Sequence, residues 1–166
     1  MGLFARRPSH VPLVVPRLDG AGWPDENVVG RPSFEANTFY ELATRHAYES
    51  EAHALAEELV AAVLPHLDTG ADSEDEPYLR KVFSVAARVG VGLGMVERTL
   101  DPEPESTDRR IAAALWQARR KLPAMPPHWA RTAAYFVLAG HYVARTEPAV
   151  IPGLVEDLGS RPTQSD

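Results

Sequence analysis

The sequence predicts an all-α protein, and three observations support that class. Apolar residues recur at helical spacing from residue 34 onward, residues typical of helix caps precede the periodic segments, and proline-rich loops separate them. No pair of alternating apolar segments flanks a hairpin turn. We therefore expect an up-and-down bundle of four main helices with a short fifth C-terminal helix and a Pro-rich extended N-terminal arm.

The N-terminal arm is predicted over residues 1–33. Its regularly spaced prolines exclude a helix longer than about two turns, while its apolar side chains indicate that part of it packs on the domain or on a partner. The helical domain is expected over residues 34–158, followed by a flexible tail over residues 159–166.

The first two helices carry recognisable start residues. Ser33 is a suitable N-cap for a helix predicted over residues 34–67. Ser73 and Glu76 form a capping-box pattern, which predicts that a second helix opens there and extends to about Leu100.

Three further helices are bounded by prolines. Ser106 is expected to cap a third helix that ends at Leu122. A fourth helix is predicted over residues 127–146 and a short fifth one over residues 148–158. The Ala-rich fourth helix is apolar nearly all round, and we expect it to fill the groove that Gly90 and Gly94 leave on the second helix.

Composition excludes several function classes. The 166 residues contain no Cys, so disulfides, Cys-ligated metal centres and thiol catalysis are ruled out. No segment has the apolar length of a signal-peptide core or a membrane span, which predicts a cytoplasmic protein without a membrane partner. The excess of Arg over Lys and the abundance of Ala indicate a high-GC bacterial genome.

Polar residues that interrupt apolar helix faces are the candidates for a metal site. On a continuous first helix, His46, Glu49 and His53 share one face with the core residues, and adjacent members are spaced to reach one ion. Because His46 and His53 are then about 10.5 Å apart along the axis, further ligands must come from other helices. Glu97 and His141 are the candidates by face and polarity, and Glu57 is an additional one.

The same residues have a structural interpretation, which we favour. A Glu between two His can hold both through pairs three and four residues apart, as a polar seam inside the bundle or at a dimer contact. The chain contains no phosphate loop, nucleophile elbow or Glu-x-x-His pair. We therefore expect no catalytic residues and no cofactor, with a divalent metal as the alternative.

The third helix is the candidate interaction surface. Trp116 is predicted to lie outside the core among Arg109, Arg119 and Arg120, and exposed Trp with Arg is typical of binding hot spots. A basic helix also binds phosphates, but the net charge of −6 and the lack of a helix-turn-helix pattern disfavour nucleic acid.

Charge is segregated along the chain. Residues 34–77 hold 11 acids against Arg45 alone, whereas residues 108–125 are net basic. An acidic and a basic surface on one molecule favour packing on itself or on a charged partner. The sequence therefore predicts a non-enzymatic protein–protein interaction module, as a homodimer or a subunit of a larger complex. The first alternative is a metal- or small-ligand-binding bundle with a His/Glu site in the core, which leaves an enzyme open. The second is nucleic-acid binding through the third helix.

Overall fold

A computed structural model describes the backbone of residues 34–100 and 104–160, with side chains for residues 38–99 and 110–158. Every regular element in these ranges is helical, which confirms the all-α class. The predicted arm, residues 1–33, and most of the predicted tail lie outside the described residues.

Six α-helices follow one another along the described chain. Short 3-10 helices at Leu64–His66 and Pro148–Val150 follow the second helix and precede the sixth. The α-helices are α1 (Phe34–Ala47), α2 (Ser50–Val63), α3 (Glu76–Leu100), α4 (Pro104–Lys121), α5 (Pro127–Arg145) and α6 (Ile151–Ser160).

The prediction of one continuous helix over residues 34–67 is wrong, because the chain breaks at Tyr48 and Glu49. The last turn of α1 tightens, with the Tyr48 amide donating to the Arg45 carbonyl and the Glu49 amide to the His46 carbonyl. Glu49 is extended, with φ −72° and ψ 148°, and α2 begins after it.

The break arises because the apolar faces of α1 and α2 would point in different directions on one straight helix. The core residues of α1 are Tyr40, Ala43 and Ala47, and continuing that face at 3.6 residues per turn reaches Glu51 and Glu58. A straight helix would therefore bury carboxylates, whereas the break rotates a second apolar face inward. That second face consists of Ala52, Ala56, Leu59, Val60 and Val63.

The other helices begin or end within a few residues of their predicted limits. The α3 helix starts at Glu76, after a turn over residues 73–75, rather than directly after Ser73. The α4 helix starts at Pro104, before the expected cap at Ser106, and α5 ends one residue early at Arg145.

The α3 helix is the centre of the fold. It packs on α1, α2, α4 and α5, with its longest contact against α5. The prediction that Gly90 and Gly94 receive the Ala-rich helix is confirmed. A Cβ at Gly90 would lie 1.9 Å from the Val137 carbonyl oxygen, and one at Gly94 would lie 2.5 Å from that of His141.

A third glycine, Gly92, opens the opposite side of α3 to α1. A Cβ there would lie 2.2 Å from the Ala43 carbonyl oxygen and 3.1 Å from the Ala47 Cβ. Two residues along a helix turn the chain by about 200°, so alternate glycines face opposite sides. The segment from Gly90 to Gly94 thus lets two helix backbones approach α3 at once.

Among the described helices, none combines the length and the apolar composition required to cross a membrane.

Candidate functional site

A buried carboxylate, Glu97, joins three helices near the C-terminal end of α3. Its side chain has no exposed area, and its Oε2 lies 2.5 Å from Nε2 of His141 on α5. Nη1 of Arg145, one turn further along α5, donates to the same oxygen at 3.3 Å. Both partners of Oε2, His141 and Arg145, therefore come from α5.

The other oxygen of Glu97 faces Arg110 on α4. Its Oε1 lies 3.7 Å from Arg110 Nη1, which is an ion-pair distance but too long for a hydrogen bond. Both atoms are buried without a hydrogen-bond partner. The Arg110 guanidinium also lies 3.6 Å from the centroid of the Phe39 ring on α1, so this cluster links α1, α3, α4 and α5.

The arrangement orients His141 against a carboxylate, as acid–base chemistry requires. Its surroundings, however, are those of a core, because Glu97 and His141 are 1% and 6% exposed. Neither residue lines the open groove between α1, α3 and the end of α4 that is described below. We therefore interpret the cluster as a structural contact that holds the helices together, since each buried charge offsets the desolvation cost of its neighbour.

The five predicted metal-site residues fall into separate places. Glu97 and His141 meet in the core, whereas His46 and Glu49 pair at 3.1 Å on the surface where α1 meets α2. His53 lies 4.0 Å from Glu57 on the exposed face of α2. Within the described ranges, no three His, Cys, Asp or Glu side chains are placed to hold one metal ion.

The break between α1 and α2 explains this separation. The predicted stripe put His46, Glu49 and His53 on the inward face of one helix, but His53 and Glu49 are exposed and His46 is half-buried. Ala43, Ala47, Ala52 and Ala56 occupy the inward positions instead. Alanine contributes little to a hydrophobic pattern. The face predicted to point inward was therefore the one that carries the larger side chains.

Of the predicted interaction residues, Trp116, Arg119 and Arg120 lie in the C-terminal half of α4. Trp116 is half-buried, and the Arg120 guanidinium lies 4.1 Å from the centroid of its ring. Arg119, Arg120 and the adjoining Lys121 are exposed. The side chain of Arg109 lies outside the described residues.

An open groove of about 320 Å³ lies between α1, α3 and the end of α4. Lys121 Nζ stands over it, 5.6 Å from the Tyr40 ring centroid and 5.8 Å from that of Tyr48. Its lining residues are Tyr40, Thr44, Ala47, Tyr48, Val85, Arg88, Val89 and Lys121. The groove combines cations with aromatic and aliphatic surface.

Sequence reasoning missed this groove and the role of Arg110. The groove depends on the break after Ala47, which leaves Tyr48 70% exposed beside the end of α4. The net basic charge of residues 108–125 includes Arg110, although Ala114 and Ala118 follow it at spacings of four residues and are fully buried. That alanine pattern was the available sign that Arg110 points inward.

Comparison with protein-family models, with curated proteins and with solved structures gives no match to this chain.

Proposed function

We propose that the protein is a non-enzymatic interaction module that forms a homodimer, with the basic end of α4 in one copy meeting the acidic face of α2 in the other. The observation that carries this proposal is the separation of exposed charge between these two helices. We call the exposed Arg119, Arg120 and Lys121 the basic end, and the exposed Glu51, Glu57 and Glu58 the acidic face.

The two surfaces belong to different parts of the fold. The α4 helix packs on α1, α3 and α5, whereas α2 packs mainly on α3, α6 and α5. The loop after α2 extends the acidic surface with exposed carboxylates at Asp68, Asp72, Glu74 and Asp75. One molecule therefore presents opposite charges on separate helices.

In a dimer with two-fold symmetry, the contact between the basic end and the acidic face occurs two times. In a two-fold dimer, if the basic end of one copy meets the acidic face of its partner, the reverse contact forms as well. Opposite potentials accelerate encounter and set the orientation, while a large aromatic residue supplies binding energy. Trp116, which is half-buried with the Arg120 guanidinium over its ring, is the aromatic residue that we propose for this contact.

The test uses two charge-reversed variants of the full chain. Sedimentation velocity is expected to show a wild-type dimer at about 0.05 M salt and dissociation towards about 1 M salt, where screening shortens the Debye length to about 3 Å. The variants Arg119→Glu/Arg120→Glu and Glu57→Lys/Glu58→Lys are each expected to be monomeric. Mixing them restores opposite charges at both contacts, so a heterodimer is expected.

The control is a charge reversal at two adjacent basic residues outside the proposed contact. Arg80 and Lys81 are exposed on α3, and Arg80→Glu/Lys81→Glu should leave the dimer intact. Trp116→Ala should weaken association while the helical content stays unchanged. A wild-type protein that sediments as a monomer at low salt contradicts the proposal, as does a failure of the two monomeric variants to associate.

A further inference from the structure

The groove between α1, α3 and the end of α4 has the chemistry of a small-ligand site, and of the basic end proposed above for the dimer contact it shares only Lys121. Its volume of about 320 Å³ lies at the lower end of the range of about 300 to 1,000 Å³ that ligand pockets occupy. Two cations, Arg88 and Lys121, line it, and its lining contains no carboxylate. In a chain of net charge −6, such a lining selects for negative charge.

Both cations retain donors for a ligand. In the described part of the chain, the hydrogen bond of Arg88 runs from Nε to the Ser84 carbonyl at 3.4 Å, which leaves its terminal nitrogens for other acceptors. Lys121 contacts the rings of Tyr40 and Tyr48 at the outer limit of a cation–π interaction. No salt bridge to a described carboxylate neutralises either cation.

Tyr40 supplies a second, independent observation. Its side chain lines the groove and is 8% exposed, yet its buried hydroxyl has no hydrogen-bond partner. Buried hydroxyls are normally paired, so this unpaired one at the wall of the groove is left to bond to a polar group of a bound molecule. Val85, Val89 and Ala47 complete the lining with apolar surface suited to a flat hydrocarbon body.

We propose that this groove binds a small organic anion with a planar apolar body, the class of aryl and indolyl carboxylates. Arg88 and Lys121 hold the carboxylate by charge-assisted hydrogen bonds, and the rings of Tyr40 and Tyr48 contact the planar body. The Tyr40 hydroxyl bonds to the ligand.

Three probes that share the indole ring separate the effect of charge from that of the ring. Isothermal titration calorimetry on the full-length protein is expected to show binding of indole-3-acetate, weaker binding of neutral indole and none of the cation tryptamine. Amide shifts of Thr44 and Val89 in NMR spectra should report the same titration, which places the ligand in the groove.

The two lysines of the chain provide a matched pair of variants, because Lys81 is exposed on α3 away from the groove lining. Lys121→Met is expected to weaken indole-3-acetate binding by about tenfold or more, the usual effect of losing a hydrogen bond to a charged group, whereas Lys81→Met leaves it unchanged. Tyr40→Phe should weaken binding by about threefold to tenfold without lowering the melting temperature, since its hydroxyl is unpaired in the free protein.

Three results would overturn the proposal. The first is an absence of indole-3-acetate binding to the wild-type protein at millimolar concentration. The second is equal affinity for tryptamine and indole-3-acetate, which would mean that the groove selects apolar bulk and not charge. The third is equal affinity of the Lys121→Met and Lys81→Met variants for indole-3-acetate.

Discussion

Gly90 of α3 lies directly against the backbone of Val137 in α5. A Cβ at Gly90 would meet the Val137 carbonyl oxygen at 1.9 Å and its carbonyl carbon at 2.8 Å. The approach is reciprocal, because a Cβ at Gly140 on α5 would lie 2.5 Å from the Ala87 carbonyl oxygen. The largest helix contact of the fold therefore depends on missing side chains on both helices.

Gly90→Ala is expected to destabilise the protein despite the higher helix propensity of alanine. The new methyl group meets backbone atoms, which cannot rotate away, so α3 and α5 must separate at a cost of about 3 kcal/mol. Urea denaturation followed by circular dichroism measures the free energy of unfolding.

Gly70 provides the contrasting control for Gly90. It has φ +61°, and a Cβ added there would have no atom within 4 Å, so Gly70→Ala is expected to cost about 1 kcal/mol for conformational reasons alone. Asn tolerates that conformation, so Gly70→Asn should recover stability while Gly90→Asn should not. Equal rescue at both positions would show that close packing at Gly90 has no energetic role.

Glu97→Gln tests the buried charge cluster. The substitution keeps the shape of the side chain but leaves Arg110 in the core without its counter-charge, which is expected to cost about 3 kcal/mol. Arg110→Met also removes the cation, so the loss in the double variant should be clearly smaller than the sum of the single losses. Additive losses measured by urea denaturation would show that Glu97 and Arg110 do not interact energetically.

The sequence predicted the helical class and the α3–α5 contact because glycine spacing and nearly all-apolar character are local properties. It also placed Glu97 on the buried face of α3 and identified His141 as a polar residue of α5. Their pairing, and that of Glu97 with Arg110, depends on how three helices cross, which no single-helix pattern contains. The break at Glu49 was missed because the residues around it include neither Gly nor Pro, and it arises from competition between two buried faces.

Glu49→Asp distinguishes a helix break from a continuous helix. Glu49 occupies the N-cap position of α2 but forms no capping hydrogen bond, and Asp is among the best N-cap residues. The substitution is expected to raise the free energy of unfolding by about 0.5 kcal/mol, after a small loss from the exposed His46 pair. The matched control, Glu58→Asp within α2, should lower it by a few tenths of a kcal/mol because Asp has the weaker helix propensity. Destabilisation by both substitutions would indicate that the helix continues through residue 49.

Trp129→Phe tests how the acidic loop is held on the bundle. The indole Nε1 of Trp129, in the first turn of α5, donates to the Thr69 carbonyl at 2.8 Å across 60 residues of chain. Phe retains most of the apolar contact but cannot donate, so the free energy of unfolding should fall by about 1 kcal/mol. Hydrogen exchange of amides in residues 68–75 is expected to accelerate, while exchange at the α3–α5 contact follows only the global loss.

His128→Phe is the control, because this neighbouring ring is exposed and meets Trp129 edge to face without contacting the loop through a hydrogen bond. Equal acceleration of loop exchange in both variants would contradict a specific role of the indole hydrogen bond in holding the loop.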